Sequence, residues 1–319
     1  MPGVTGIRQR LRWNRTGQVP MRRMRLIVNP AAGRGYAVRA AEHARRLLEG
    51  LGLGFDVVQT GAPGDGVRLA EEALLEGCSH VVAVGGDGTV HEVLNGLLRA
   101  RAGGGPEGAL GVIPAGSGND FDYMFRARDG LEGACRRLAE GKTRLIDVGR
   151  IDDRYFANAV GIGFDAAVNI VSRKYRRLRG LLLYLLSALE TIFVYYKAPT
   201  VCVNYDGTEV RGKMLLVSVG NGRRIGGGFM LTPSAEVDDG VFDLCLAREV
   251  SRLEILRLIP HVIRGTHVNK PPVTMVRARK IVVTSDGGLP SHVDGEIYTV
   301  DAHRLEMEVL PRRLRVVCG

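Results

Sequence analysis

The fold of the first half of this chain is decided by one stretch, Val81-Val82-Ala83-Val84-Gly85-Gly86-Asp87-Gly88-Thr89. An apolar run that ends in glycine is typical of a buried parallel strand, and the residues after it have the apolar spacing of a helix. Three glycines let the backbone approach a ligand closely, and the start of a helix offers N–H groups to an anion. Asp87 adds a carboxylate, which suits a phosphate ligand only if a divalent cation lies between the two. The stretch therefore predicts a site for a metal–nucleotide complex.

Strands and helices alternate on both sides of this stretch. The pattern predicts strands at 26–28, 55–58, 80–84 and 110–113 and helices at 38–51, 65–76 and 90–100. Short apolar strands separated by helices indicate a doubly wound parallel sheet, in which ligands bind at the carboxyl ends of the strands. The loops at Asn29, Gly85 and Gly116 all follow strands, so we expect them to converge on one site.

Thr89 and Glu92 also have a structural interpretation. Their spacing fits a capping box, in which Thr89 caps the helix and the Glu92 side chain returns to the N–H of the cap residue. We therefore expect Glu92 to be structural rather than catalytic. Capping does not explain three glycines around Asp87, for which the phosphate and metal interpretation remains.

Each of the two neighbouring loops is ambiguous when taken alone. One is Asn29-Pro30-Ala31-Ala32-Gly33, which fits either an ordinary turn or a phosphate loop. It matches neither a Walker A loop nor a dinucleotide-binding fingerprint, because position 38 is Val38. In the other loop, Asn119 and Asp120 fit helix capping, whereas Ser117 fits a hydrogen bond to a phosphate or nucleoside.

The pattern of apolar and turn-forming residues changes after about residue 145. Strands are predicted at 155–160, 200–205, 213–219, 241–246 and 280–284, and Gly, Asp and Asn punctuate them. This pattern predicts a mostly antiparallel β domain.

Two acidic turns in this region have two interpretations each. Residues 238–243 fit either a hairpin turn or a site for a hard cation, which takes carboxylate and carbonyl oxygens. Residues 292–296 fit either a surface turn or, facing a nucleotide, a carboxylate that takes a proton from an attacking hydroxyl.

An apolar segment at 181–196 interrupts the β region and follows a basic run at 173–179. It is shorter than the roughly 20 apolar residues that a spanning helix needs, and Glu190 interrupts it. Core packing and a membrane-facing or lipid-acceptor role are both open for this segment, whereas a true membrane span is disfavoured.

Composition limits the class of protein. A chain of 319 residues with 45% hydrophobic residues has room for about two domains. The net charge of +10 favours an acidic partner, such as a nucleotide or an anionic membrane. Nucleic acid is disfavoured, because the basic residues form no recognition motif. Five scattered cysteines without paired spacing predict reduced, cytoplasmic thiols.

The amino-terminal residues stand apart from the rest. They are basic and carry no apolar core of the kind found in a signal peptide. We expect residues 1–23 to form a disordered tail or to precede a start at Met21 or Met24, and a basic arm that contacts anionic lipid is the alternative.

Together these motifs resemble the diacylglycerol kinase catalytic-domain family, in particular its soluble bacterial lipid kinases. The match rests on the order and spacing of motifs across residues 25–318. These motifs are Asn29-Pro30-x-x-Gly33, Gly85-Gly86-Asp87-Gly88-Thr89, Pro114-x-Gly116-Ser117-Gly118-Asn119-Asp120, Gly226-Gly227-Gly228, Asp239-Gly240 and Asp294-Gly295-Glu296. Two positions depart from the family pattern, since Ala32 stands where many members have Ser, and Asp122-Tyr123 where they often have Ala-Arg.

The resemblance implies an α/β doubly wound nucleotide-binding domain at 24–145, joined by the final strand at 311–319, and an antiparallel β-sandwich lipid-substrate domain at 146–310, with ATP in the cleft between them. It also implies that Glu296 is the general base, that Asp294 supports it, and that Asp87 acts through Mg²⁺. Asp239, with the backbone carbonyls near Glu236 and Val241, would hold a separate, structural Mg²⁺. The residues that would bind ATP are Asn29, Pro30, Ala31, Ala32, Gly33, Thr60, Gly85, Gly86, Asp87, Gly88, Thr89, Val90, His91 and Ser117.

The sequence therefore predicts an ATP- and Mg²⁺-dependent lipid kinase that is cytoplasmic, acts peripherally at an anionic membrane and phosphorylates diacylglycerol or a related lipid alcohol. A soluble phosphotransferase similar to NAD kinase and a non-enzymatic nucleotide- or lipid-sensing module are the alternatives. The sequence leaves a homodimer open.

Overall fold

The chain divides into two compact units in the computed structural model, which describes residues 23–125, 129–175, 178 and 180–319. One unit ends at Leu145 and takes back Leu314–Gly319, and the other is Ile146–Arg313. The predicted basic tail at 1–23 lies outside the described residues except for Arg23, as do Arg176, Arg177 and Arg179 of the basic run.

Parallel strands alternate with helices in the first unit. Its elements are β1 (Met24–Val28), α1 (Tyr36–Gly50), β2 (Phe55–Gln59), α2 (Asp65–Leu75), β3 (His80–Gly85), α3 (Asp87–Ala102), β4 (Ala109–Pro114), α4 (Asp120–Met124) and α5 (Gly130–Glu140). The strands pair in the order β2-β1-β3-β4, all in parallel. The predicted α/β fold of this half is confirmed.

The buried strands explain why the apolar runs are continuous. Every residue of β1 and β3 is buried, because helices cover the sheet. Residues from α1 and α5 share one apolar core with β1, β3 and β4. The helices α2 and α3 pack on each other so closely that a Cβ on Gly96 would lie 2.2 Å from the Val67 carbonyl oxygen. Tight packing of this kind holds the loops at the strand ends.

Antiparallel strands dominate the second unit, as the sequence predicts. Its elements are β5 (Thr143–Ile151, which begins in the first unit), β6 (Arg154–Phe156), β7 (Ala159–Gly163), α6 (Phe164–Ser172), α7 (Gly180–Glu190), β8 (Thr200–Tyr205), β9 (Thr208–Gly220), β10 (Phe242–Arg248), α8 (Arg252–Arg264), β11 (Val273–Ala278), β12 (Lys280–Val293) and β13 (Glu296–Val317). The strands pair in the order β11-β10-β9-β7-β12-β13, and β8 pairs with both β9 and β12.

The last strand runs from the second unit into the first. From Leu314 onward it belongs to the first unit, where Arg315 and Val316 pair in parallel with Ala109 and Leu110 of β4. Both chain crossings therefore lie in extended segments.

The strand predicted at 155–160 is wrong as a single element. The structure has β6 and β7 instead, with a break at Ala157 and Asn158. The N–H groups of both residues donate to the carboxylate of Asp294 and are therefore lost to a regular strand ladder.

The capping box predicted at Thr89 is also wrong. Helix α3 begins at Asp87, its N-cap is Gly86, and no side chain caps it. Glu92 instead accepts hydrogen bonds from the N–H groups of Gly64 and Gly66, both at 2.8 Å, at the start of α2. Glu92 is thus structural, as expected, but it caps the neighbouring helix.

We predict that Glu92→Ala lowers the free energy of unfolding by about 1–2 kcal/mol, because the α2 amides lose their acceptor. Glu71→Ala is the matched control, since Glu71 also lies in α2 and its carboxylate forms no hydrogen bond or ion pair with another described residue. Urea unfolding of both variants measures the difference. Equal losses in the two variants would contradict the capping role of Glu92.

Candidate functional site

Three loops of the first unit meet at the carboxyl ends of β1, β3 and β4. The Asn29 side chain donates from Nδ2 to Thr89 Oγ1 at 3.2 Å, and its own Oδ1 accepts from the Ala31 N–H at 3.0 Å. The amide of Ala115 donates to the Gly85 carbonyl at 2.7 Å. Side-chain and backbone hydrogen bonds therefore hold the three predicted loops together.

The glycines in these loops are required by close backbone contact. A Cβ on Gly116 would lie 2.3 Å from the Gly86 Cα, and a Cβ on Gly33 would lie 2.3 Å from the Ala115 carbonyl oxygen. Gly33 also has a φ of +56°, which an L residue with a side chain rarely adopts. The bare backbone leaves Gly86, Asp87 and Gly88 half-exposed at the first turn of α3. Helix-start N–H groups have no partner within the helix and favour an anion there.

Asp87 has a structural contact that the sequence did not reveal. Its Oδ1 accepts a hydrogen bond from the Phe121 N–H at 3.0 Å, at the start of α4. The carboxylate thus ties the Gly85 loop to the loop that carries Ser117 and Asn119. Asn119 adopts the left-handed conformation with a φ of +51°, and its Oδ1 accepts from the Gly116 N–H at 3.0 Å.

The other predicted nucleotide residues differ in exposure. Thr60 follows β2, and its N–H donates to the Val28 carbonyl at 3.0 Å, which places it beside the Asn29 loop. Ser117 and Ala31 are exposed, whereas Val90 and His91 are buried within α3. The two buried residues therefore support the loop from beneath.

Arg34 was not singled out from the sequence. It follows the Asn29–Gly33 loop, is exposed and has a φ of +56°, between two glycines that also have positive φ. A guanidinium in this place suits a phosphate ligand. An arginine between two glycines, Gly33-Arg34-Gly35, was the sequence feature that could have identified Arg34 as a candidate phosphate-binding residue.

Asp122, at the position that departs from the family pattern, forms an ion pair. Its Oδ1 lies 3.3 Å from Arg137 Nη2, and Arg137 also pairs with Asp129. Burial raises the pKa of Asp122 to about 6, although Arg137 opposes the shift. The Asp122 carboxylate therefore pairs with an arginine of α5.

In the second unit, a tight turn carries Glu296. Asp294 and Gly295 have φ values of +49° and +84°, and the turn connects β12 to β13. The Asp294 carboxylate accepts from three main-chain N–H groups, those of Ala157 at 3.1 Å, Asn158 at 2.9 Å and Ala159 at 3.0 Å. Asp294 is buried, and its bonds to these three amides fix the turn.

A buried pair supports the same turn and was not assigned a role from the sequence. His292 Nε2 lies 3.0 Å from Asp165 Oδ2, and His292 Nδ1 accepts from the Gly295 N–H at 3.3 Å. The second bond requires that Nε2 carries the proton and donates to Asp165. The Asn169 side chain donates to the Gly295 carbonyl at 2.8 Å. Asp165 and Asn169 belong to α6, so this helix and β12 together position the turn.

Glu296 itself is exposed. Its Oε2 lies 3.0 Å from Arg173 Nη2, and about half of each side chain is accessible to solvent. An exposed pair of this kind contributes about 0–1 kcal/mol, so the two side chains separate at little cost.

The predicted metal residues lie in a turn before β10. Asp239 Oδ1 accepts from the Val241 N–H at 3.3 Å, and its Oδ2 lies 3.6 Å from Arg277. Nearby Asp243 is buried, which raises its pKa, and the negative charges of Asp239 and Glu236 add to the shift, whereas Arg277 opposes it. Oxygen donors and clustered negative charge fit a hard cation such as Mg²⁺.

That set is not a cluster of metal-ligating side chains. Across 23–125, 129–175, 178 and 180–319, no group of three or more His, Cys, Asp or Glu side chains is placed to hold a metal ion. The predicted Mg²⁺ site has one carboxylate and two backbone carbonyls, and it stays a prediction.

Comparison with known families covers both units. Residues 23–151 match the family described as the diacylglycerol kinase catalytic domain, and residues 158–318 match the YegS C-terminal NAD kinase beta sandwich-like domain.

Curated relatives give the same result. The chain is 31% identical to a diacylglycerol kinase of Bacillus subtilis (strain 168) over 86% of this chain and 90% of the relative. It is 32% identical to a diacylglycerol kinase of Mycobacterium tuberculosis (strain ATCC 25618 / H37Rv) over 85% of this chain and 87% of the relative. A solved structure of a diacylglycerol kinase from Bacillus anthracis str. Sterne superposes with a TM-score of 0.72 at 21% identity, over 95% of this chain and 98% of that one. The last likeness concerns the fold alone.

We predict that Asp294→Ala lowers the free energy of unfolding by about 3 kcal/mol or more, because three buried amides lose a charged acceptor. Asp294→Asn keeps one acceptor oxygen and should lose less. Chemical unfolding followed by circular dichroism measures both losses. Asp301→Ala is the control and should change stability by less than about 0.5 kcal/mol, since Asp301 is exposed. An Asp294→Ala protein that keeps its stability would contradict the structural role.

Proposed function

The chain belongs to the diacylglycerol kinase family and is a lipid kinase, and on that premise we propose that it transfers the γ-phosphate of ATP to the hydroxyl of diacylglycerol or a related lipid alcohol. The observation that carries the proposal is that the chain has both phosphate-type loops, in one unit, and an exposed carboxylate on a hydrogen-bonded turn, in the other. Neither feature alone specifies a kinase.

The loops around Gly86 are proposed to bind the ATP phosphates. The half-exposed start of α3 offers backbone N–H groups, and the left-handed residues Gly33 and Arg34 shape the adjoining loop. Asn29 and Thr89 are hydrogen-bonded to each other, which fixes both loops in advance of binding. Preorganised donors of this kind stabilise charge on a transferring phosphoryl group.

Glu296 is proposed to act as the general base. It takes the proton of the lipid hydroxyl while the hydroxyl oxygen forms a bond to the γ-phosphorus, and the bond from that phosphorus to the ADP oxygen breaks. Asp294, His292 and Asn169 act as positioning residues, because their hydrogen bonds hold the turn from which Glu296 projects. Arg173 must leave Glu296, or move aside, before the hydroxyl binds.

Mg²⁺ is proposed to be held by Asp239 with the backbone carbonyls of Glu236 and Val241. A bound cation there would offset the negative charge of this turn and of Asp243 at the start of β10. Asp87 is proposed to face the nucleotide through a cation of its own, while its Oδ1 keeps the Phe121 contact.

An apolar surface of the second unit is proposed to dock on an anionic membrane. Helix α7 contains mostly leucine, yet only Ser187 and Ala188 in it are buried. The π-helical turn Thr191–Tyr195 that follows it exposes Phe193 and Val194 by 59% and 62%. We call the exposed side chains of Leu182, Phe193, Val194 and Tyr195 the docking surface. Unpacked apolar side chains of this size are costly in water and favour a hydrophobic partner.

Charge indicates which partner the docking surface fits. Arg173, Lys174 and Lys197 are exposed near it, and Lys174 Nζ lies 4.7 Å from the centre of the Tyr195 ring. Basic residues beside apolar ones favour a negatively charged bilayer over a neutral one. Within the described residues, no helix has both the length and the apolar character needed to cross a bilayer. We propose that the attachment is peripheral.

We predict that Glu296→Gln lowers kcat for diacylglycerol phosphorylation by about 100-fold or more, because the amide cannot accept the hydroxyl proton. Asp286→Asn, an exposed carboxylate far along β12, should leave kcat unchanged. Labelled ATP with diacylglycerol in mixed micelles measures both rates, and circular dichroism checks the fold. Full activity in Glu296→Gln would exclude it as the base, and transfer to NAD in place of lipid would favour the soluble phosphotransferase.

We predict that Phe193→Ser with Val194→Ser lowers the vesicle partition coefficient about tenfold or more, since two apolar side chains no longer enter the bilayer. Co-sedimentation with phosphatidylglycerol-containing vesicles measures it. Leu253→Ser with Val300→Ser is the control, because both residues are as exposed as the tested pair. Equal loss in the two double variants would remove the docking surface from the proposal.

A further inference from the structure

A buried histidine–carboxylate pair lies behind the turn that carries Glu296. The side chain of His292 is 4% exposed and that of Asp165 is 15% exposed. His292 Nε2 lies 3.0 Å from Asp165 Oδ2, and Nδ1 of the same ring accepts from the Gly295 N–H at 3.3 Å. The ring therefore joins helix α6 to the residue before Glu296. All of these residues belong to the second unit.

Strand β7 leaves room for this pair at one position. Gly161 is the strand partner of His292, and a Cβ on it would lie 2.1 Å from Asp165 Oδ2 and 2.3 Å from His292 Nε2. A glycine inside a strand often marks such a close approach. The atoms that a methyl group would meet are the ends of two side chains, so an alanine there would push the pair apart and leave the backbone in place.

The neighbouring strands add no charge beside the pair. Ser218 is the partner of Gly161 on β9, and Cys245 is the partner of Ser218 on β10, so both side chains lie on the same face of the sheet as His292. Ser218 is uncharged. Burial, together with the negative charge of Asp165, raises the pKa of Cys245 to about 12, which keeps the thiol neutral.

Charged groups on and near the turn are bound to other partners. Asp294 accepts from three main-chain N–H groups, and the exposed Glu296 pairs with Arg173. Asp165 is the carboxylate that contacts the ring. The protonation of His292 is therefore set chiefly by Asp165.

The two bonds of His292 specify one protonation state. A ring nitrogen that accepts from an N–H carries no proton, so Nδ1 is bare and Nε2 holds the proton toward Asp165. With a proton on both nitrogens, Nδ1 would point a donor at the Gly295 N–H, and two donors repel each other. Histidine is the side chain whose charge changes near neutral pH, so this contact depends on pH.

We propose that Asp165 is a positioning residue for the base: it holds His292 in the form protonated at Nε2, and a second proton on the ring releases the turn that carries Glu296. The inference rests on the proposed kinase function and adds how the base is held and why its position responds to pH. Gly295 directly precedes Glu296, so loss of its amide contact lets the carboxylate move. A displacement on the order of 1 Å lowers the rate of a catalysed step about 100-fold.

Gly161→Ala tests the pair without changing either member. Hydrogen exchange of the Gly295 amide, followed by NMR, should accelerate at least about tenfold, because its acceptor is displaced. In the kinase assay, kcat should fall at least about tenfold with the KM for ATP unchanged. Gly212→Ala is the matched control, since Gly212 also lies in a strand and a Cβ on it would meet no atom of the described residues within 4 Å. It should leave exchange and kcat unchanged.

Side-chain variants separate the two bonds of the ring. Asp165→Leu removes the acceptor and should speed Gly295 exchange, whereas Asp165→Asn keeps an oxygen acceptor and should restore most of the protection. Between about pH 7.5 and about pH 5.5, exchange relative to the intrinsic rate should rise at least about tenfold in the wild type and stay constant in His292→Asn, which gains no proton. The ¹⁵N chemical shifts of the labelled wild-type ring report which nitrogen carries the proton.

The outcomes separate this role from the proposed reaction. A wild-type ring protonated at Nδ1, Gly295 protection that does not respond to pH, or equal exchange in the wild type and Gly161→Ala would overturn the role, whether or not the protein phosphorylates lipids. Faster exchange with unchanged kcat would overturn it as well, because the turn would then not position the base. Exchange that changes as expected in a protein that phosphorylates no lipid would support the pH-dependent contact and contradict the proposed kinase function.

Discussion

The carboxylate of Asp294 is the constraint on which the turn before Glu296 depends. It accepts three main-chain hydrogen bonds from residues 157–159, which lie about 135 positions earlier in the chain. Those bonds break the strand between β6 and β7 and hold the turn in a left-handed conformation. Glu296 follows this turn directly, so its position is set by a charge that is itself buried. The proposed role of Glu296 as a base would gain from such a fixed position, because proton transfer requires defined geometry.

In the first unit, close contact between backbone segments holds the candidate loops in place. Gly86 and Gly116 touch each other where any side chain would prevent it, and Asp87 joins the same loops through the Phe121 amide. The glycines thus have two roles, since they let the loops approach each other and leave the helix start open to a ligand. A site built in this way needs no large rearrangement to bind phosphate.

Local pattern predicted much of the fold because the strands of the first unit are wholly buried. The run at 80–84 differs from β3 by one residue, since a continuous apolar stretch has few alternatives. The second unit was harder, because distant residues decide its details. Nothing in the local pattern at 155–160 indicates that Asp294 binds the main chain there. Thr89 and Glu92 have the spacing of a capping box, but the Glu92 carboxylate accepts from amides at the start of α2. Helix α8 was missed, even though Ser251 and Glu254 form a genuine capping box there.

The candidate site was also predictable where local pattern decides it and unpredictable where distant residues decide it. The loops at Asn29, Gly85 and Gly116 could be inferred to meet, because parallel strands bring their carboxyl ends to one edge. Asp165 and His292 could not be paired from sequence, since 127 positions separate them and neither lies in a spacing typical of catalysis.

The most direct test of the proposed lipid kinase activity is to offer the protein a mixture of lipids and to identify which one it phosphorylates. Purified protein is incubated with a total lipid extract, labelled ATP and Mg²⁺, and the labelled products are identified by mass spectrometry. The account predicts label in a phosphorylated lipid alcohol with hydrocarbon chains, such as phosphatidic acid from diacylglycerol, and none when Glu296 is replaced by Gln. Label confined to a water-soluble product, or lipid labelling that survives Glu296→Gln, would contradict it.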